Sequence, residues 1–144
     1  MAGGKGTTFD NDLLKLIFNG TAIANIADNA ASAPLASLYL SLHTADPGAG
    51  GAQTTSEAAY GSYTRMPVPR NSTGFTVSGN AVSLTVAIIF PTASSGTETE
   101  NWAAVGTNVT GSGKILYRGP ITPALNVTTG IAPQLTAGTT ITEN

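Results

Sequence analysis

Apolar and polar residues alternate along most of this chain in short runs that end at Gly, Pro or Asn, and that pattern admits little besides antiparallel strands. Leu38, Leu40 and Leu42 fall on one face of such a run, with Ser37, Tyr39, Ser41 and His43 on the other. The longest run sets Val82, Leu84, Val86, Ile88 and Phe90 against Ala81, Ser83, Thr85, Ala87 and Ile89. Its second half is apolar on both sides, which predicts burial on two faces. Further short strands are expected at 62–68, 75–77, 102–105, 114–118, 121–127, 131–135 and 139–141. Turns at Asn71-Ser72-Thr73-Gly74, Ser78-Gly79-Asn80, Gly111-Ser112-Gly113, Gly119-Pro120 and Thr129-Gly130 separate them. Pro67 and Pro69 cannot donate to a ladder, so the strand at 62–68 belongs at a sheet edge or ends at a bulge.

Only residues 9–19 carry a helical period. Leu13, Leu14, Ile17 and Phe18 make one stripe, Asp10 or Asn11 is placed to cap the first turn, and Gly20 supplies the stop. A second helical turn is weakly signalled over 23–29. The sum is an all-β class: one β-sandwich, jelly-roll-like, of about eight short strands over residues 37–142 behind one short helix. Residues 1–8 are Gly-rich and read as a flexible arm, and residues 9–144 as a single domain. A Gly- and Thr-rich loop from Thr44 to Gly61 exceeds the usual connection length, so it is expected to be functional or mobile.

The chemistry these residues offer is sparse. No cysteine is present, which removes disulfides and thiolate chemistry. His43 is the single histidine, with Asp46 three residues on and serines in plenty. A Ser-His-Asp set is open by content, but no Gly-x-Ser-x-Gly elbow is present, and at a strand end His43 reads as a hydrogen-bonding surface residue. Glu98 and Glu100 fall in a polar tract, 92–100, that reads as a solvated loop rather than an acid/base pair. Gly111-Ser112-Gly113-Lys114 lacks the leading Gly and trailing Ser or Thr of a phosphate loop. No metal-ligand spacing and no cofactor motif occurs, and no enzyme is expected. The N-terminal residues hold no apolar run of the signal-peptide kind, and no stretch approaches a membrane span.

Charged residues are 10% of the chain, against a usual share of about 25%. Six Lys and Arg against eight Asp and Glu leave a net charge of −2, with no basic cluster for nucleic acid. A surface so poor in charge and rich in Thr, Ser, Ala and Gly suits one that neighbours cover. The aromatic residues Tyr39, Tyr60, Tyr63, Trp102 and Tyr117 have polar handles of the kind favoured at interfaces.

The block Leu38-Tyr39-Leu40-Ser41-Leu42-His43-Thr44-Ala45-Asp46-Pro47-Gly48 resembles the segment LYVSLHTADPG of a family of small phage virion proteins. Gly61-Ser62-Tyr63-Thr64-Arg65 is similar to its GYARQ-like strand, and Ile89-Phe90-Pro91-Thr92-Ala93 to its FPTA block. Asn101-Trp102 resembles its tryptophan-containing strand start, and Lys114-Ile115-Leu116-Tyr117-Arg118-Gly119-Pro120-Ile121 its LLYYGAL hairpin. Ala103-Ala104-Val105-Gly106 departs from the family by being shorter and less aromatic. The order of the blocks covers most of residues 10–142. Members are described as tail fibre proteins or as head decoration (cement) proteins.

The resemblance implies a virion structural protein. The first expectation is a capsid cement protein on the outer shell that bridges major capsid protein subunits and stabilises the assembled shell by mass action. Self-association as a homodimer or homotrimer is expected with it, and no nucleic-acid or membrane partner. A tail-associated or tail fibre subunit is the alternative, and a host-glycan-binding module through Tyr63 or Trp102 the second. The expected interface residues are Tyr39, His43, Asp46, Tyr60, Tyr63, Arg65, Trp102 and Tyr117.

Overall fold

One helix and nine strands account for the regular structure among the described residues, which in this computed structural model are 7–23 and 34–143. The fold is all-β, built of antiparallel sheets with a single short helix, the sandwich class that the alternation predicts. Of the expected arm over 1–8, residues 1–6 lie outside the described residues, and Thr7 and Thr8 belong to the helix instead; of the weak helical signal over 23–29, all but Ile23 lies outside them. No described helix is long and apolar enough to cross a membrane.

The chain divides into two units by its internal contacts. Unit 1 gathers the described residues of 1–37, 69–86 and 136–144. Its helix α1 (Thr7–Asn19) buries Leu14 and Phe18 completely. It packs on β3 (Phe75–Ser78) and β4 (Ala81–Leu84), where the Phe18 ring meets Phe75 edge-on with centroids 4.8 Å apart. The helix starts two residues before its expected first turn, so Asp10 lies within that turn rather than at its cap. At the other end the Arg70 guanidinium donates to the carbonyls of Leu16 and Ile17, groups that no further helical turn would satisfy. Gly20 follows at φ 65°, as its place after the stripe predicts. Strand β4 is the centre of a three-stranded sheet, between β3 and β9 (Thr140–Thr142). The β3–β4 hairpin turns at Gly79, φ 60°.

Unit 2 holds residues 38–68 and 87–135. Its four-stranded sheet runs β2 (Met66–Pro69), β1 (Ser37–His43), β6 (Thr97–Gly106), β7 (Ile115–Thr128). A two-stranded sheet pairs β5 (Ile88–Ile89) with β8 (Gln134–Leu135). β2 stands at the sheet edge, where its prolines cost no ladder bond.

Four expectations change. The run 82–90 is two strands, not one: after Leu84 it leaves the three-stranded sheet, crosses exposed Thr85, Val86 and Ala87, and joins β8 as β5. Alternation records which residues face inward, not where a strand changes partner. Val86 and Ile89 are 55% and 57% exposed, so burial on two faces fails there. Burial on two faces occurs instead in β1, where Ser41 and His43 are as fully buried as Leu42. Glu98 and Glu100 lie within β6, not in a loop, paired opposite Val127 and Leu125. Finally, β7 continues through Gly119-Pro120, with a register shift against β6 just beyond it, between Pro120 opposite Trp102 and Leu125 opposite Glu100; the proline is tolerated because β7 is the outermost strand and needs N–H donors on one side only.

Candidate functional site

The loop between β1 and β2 organises the polar side chains of unit 2. Past the end of β2 it folds back along the free side of β1. Ala58 N–H donates to Leu42 O and Thr44 N–H to Ser56 O, both at 2.9 Å, and His43 bridges Glu57. A loop that continues a sheet edge in this way is ordered by backbone bonds.

At its centre Arg65 and Glu57 form a two-pronged ion pair: Nε to Oε1 at 2.6 Å and Nη2 to Oε2 at 2.7 Å. The remaining guanidinium donors reach the carbonyls of Asn108 (3.0 Å) and Gly111 (2.8 Å) in the β6–β7 turn. Arg65 thereby staples loop, strand and turn together with a side chain that is 3% exposed. The Tyr63 hydroxyl donates to Glu57 Oε1 and accepts from Leu42 N–H, each at 3.1 Å. Burial, more than the Glu57 charge, raises the Tyr63 pKa, so the phenol stays protonated. Gln53 closes the far end: its N–H donates to Gly113 O and its Oε1 accepts from Asn108 N–H, both at 2.9 Å. Its side chain fills the space a Cβ would need at Gly106 or Gly113.

His43 is fully buried, which corrects its expected place on the surface. Its Nδ1 lies 2.9 Å from the Thr55 carbonyl, which only an N–H can satisfy, so Nε2 accepts from the Ser41 hydroxyl at 2.9 Å. Burial lowers its pKa below 6.5, against the opposing pull of the Thr55 carbonyl and Glu57. The pair has serine-histidine geometry, but the third partner is a carbonyl and both side chains are sealed. Asp46 is elsewhere. It accepts from Gly48 N–H at 2.8 Å and pairs with Arg118 Nε at 2.9 Å.

That second pair marks the exposed polar feature of the unit. Arg118 lies 5.8 Å from the ring centroid of Trp102, and Gly48, Ala49 and residues 115–118 line a shallow groove of about 240 Å³. The arrangement joins Asp46, Trp102 and Tyr117 of the expected interface set. It adds Arg118, which the sequence carries in its hairpin block without marking it. His43, Tyr63 and Arg65 meet in the buried network instead, with Glu57 and Gln53, which nothing in their spacing singles out. Tyr60 is buried and packs edge-on against Tyr63 at 5.3 Å, and Tyr63 stacks with Phe90 at 6.3 Å. Tyr39 is half-buried opposite Gly106. Among the described residues no three His, Asp or Glu side chains converge to hold a metal.

Residues 5–143 match the family described as podophage GP4 fiber I protein gp80. The chain belongs to this family. It is a bacteriophage virion structural protein, and the virion is its place of work. The gp80 match spans nearly every residue of both units, so it covers the buried network and the groove alike. Among curated proteins none matches the chain.

Proposed function

We propose that this chain is a structural subunit of a phage fibre, acting through contacts with further copies and with neighbouring fibre components. The observation that carries the reading is the family description, fibre protein, over residues 5–143. It favours the fibre alternative over a capsid cement role, which rested on the resemblance in the sequence and on a charge-poor, Thr- and Ala-rich surface. The geometry supports a structural task. The Ser-His pair is sealed, the central ion pair is spent on holding a loop, and the acid Asp46 is engaged by Arg118. Exposed Val86, Ile89, Val109 and Ile131, on a chain with few charges, suit a surface covered in assembly. Tyr63 is turned inward and Trp102 is occupied by Arg118, so neither offers the free ring that glycan stacking requires.

Immunogold labelling of intact particles with an antibody to this chain tests the proposal. Gold on the fibres supports it. Gold over the capsid shell overturns it in favour of the cement role, and particles that lack the chain overturn both.

A further inference from the structure

A second buried polar cluster in unit 2 serves neither the central network nor the groove. Glu98 and Glu100 are two residues apart on β6, opposite Val127 and Leu125, so their side chains leave the same face of the strand. Glu98 Oε1 accepts from Ala59 N–H at 2.9 Å and Tyr60 N–H at 2.7 Å, which pins the end of the long loop. Glu100 has no exposed surface, and neither of its carboxylate oxygens has a donor. The Tyr60 hydroxyl is buried beside them, also without a partner.

A bare carboxylate in that position is strongly disfavoured, because it has lost water and gained nothing. A protonated Glu100 carries an O–H that Glu98, already an acceptor, can receive. We propose that Glu98 and Glu100 hold one proton between them, and that losing it releases the loop at Ala59 and Tyr60. The charges around the pair agree. Burial first, and then Glu98, push the Glu100 pKa up to about 8. Burial followed by the two glutamates raises Tyr60 to about 12, so the phenol stays neutral. Among the described residues no cation offsets them: β7 presents Leu125 and Val127, the neighbouring turn Ser94 and Ser95, and on β1 His43 stands opposite Trp102. Once Glu100 ionises, two negative charges lie side by side, one of them fully buried. Glu98 is the partner free to move, and moving it abandons the two loop amides.

Carboxyl-carbon NMR of the full chain across pH 5 to 10 reads the proton directly. A Glu100 midpoint near 8 is expected. Melting of the wild type is expected to fall by on the order of 10 °C between pH 6.5 and pH 8.5, with Glu100→Gln nearly flat over that range. Above the midpoint, hydrogen exchange corrected for pH should quicken at Ala59 and Tyr60. A Glu100 midpoint in the ordinary carboxylate range overturns the proposal, as does a Glu100→Gln profile identical to the wild type. So does full recovery of wild-type melting at pH 9 by calcium or magnesium chloride, which would make the pair a cation site. Should Glu100→Gln not fold, the wild-type titration alone decides.

Discussion

Arg65 and Arg118 carry the same guanidinium and do unlike things for stability. Arg65 is sealed, and four donor contacts engage it, so removing the side chain leaves the Glu57 carboxylate with the Tyr63 hydroxyl alone and takes a donor from each of two turn carbonyls. Arg65→Ala should cost about 3–5 kcal/mol in chemical denaturation, and Arg65→Lys most of that, because an ammonium cannot span both carboxylate oxygens. Asp46→Asn, which breaks the half-exposed pair with Arg118, should cost less than ~1 kcal/mol. His43 sets the acid limb of the pH profile. Its folded pKa is lowered, so the unfolded chain binds the proton more readily, and stability falls as pH drops from 6.5 through the lowered value. Glu100, raised toward about 8, acts in the other direction: its contribution is whole below its ordinary value and is lost as pH climbs through about 8. Melting curves of His43→Gln should lose the acid limb and keep the alkaline one. His43 drew attention in the sequence as the single histidine, yet its burial was not legible, since Ser41 and His43 sit on the polar side of the alternation.

At the scale of elements, the loop from Thr44 to Gly61 holds its course through positions where no side chain fits. A Cβ at Gly51 would lie 2.0 Å from the Pro47 carbonyl oxygen, which is backbone and cannot step aside. Gly51→Ala should therefore distort the loop and lower the melting temperature by several degrees, a cost in the usual ~0.5–3 kcal/mol range of single substitutions or above it. Gly113→Ala meets the Gln53 side-chain oxygen at 2.0 Å, so pairing it with Gln53→Ala should recover part of the loss. The two strand edges show what the sequence discloses and what it hides. β2 was legible as an edge because Pro67 and Pro69 bar it from the interior. β7 was not legible as one long strand, since Gly119-Pro120 reads as a break unless the outermost position is already known. Loop length marked the 44–61 segment as unusual. Its role as the continuation of β1 was hidden, because backbone bonds leave no side-chain signature.

For the whole molecule, the all-β class and the virion assignment were both within reach of the sequence, the first through period-two alternation and the second through the order of its short blocks. The division into two units was not, because the segments of unit 1 lie far apart along the chain and no composition change marks their joins. A virion structural protein with 10% charged residues and exposed aliphatic side chains should not remain a monomer. Sedimentation velocity at micromolar concentration should give a homodimer or homotrimer. A monomer at the highest concentration tested would count against self-association.

The scattered make-up of unit 1 also imposes an order of events in time. β9 supplies one flank of β4, and its residues, 140–142, are translated after every segment of unit 2. Every segment of unit 2 has been translated by Leu135, although that unit begins later along the chain. On the ribosome, therefore, the unit that starts second has all its parts first. The nascent helix and the β3–β4 hairpin wait with one backbone edge open until β9 arrives, an interval in which chaperones or a neighbouring nascent chain have access to it.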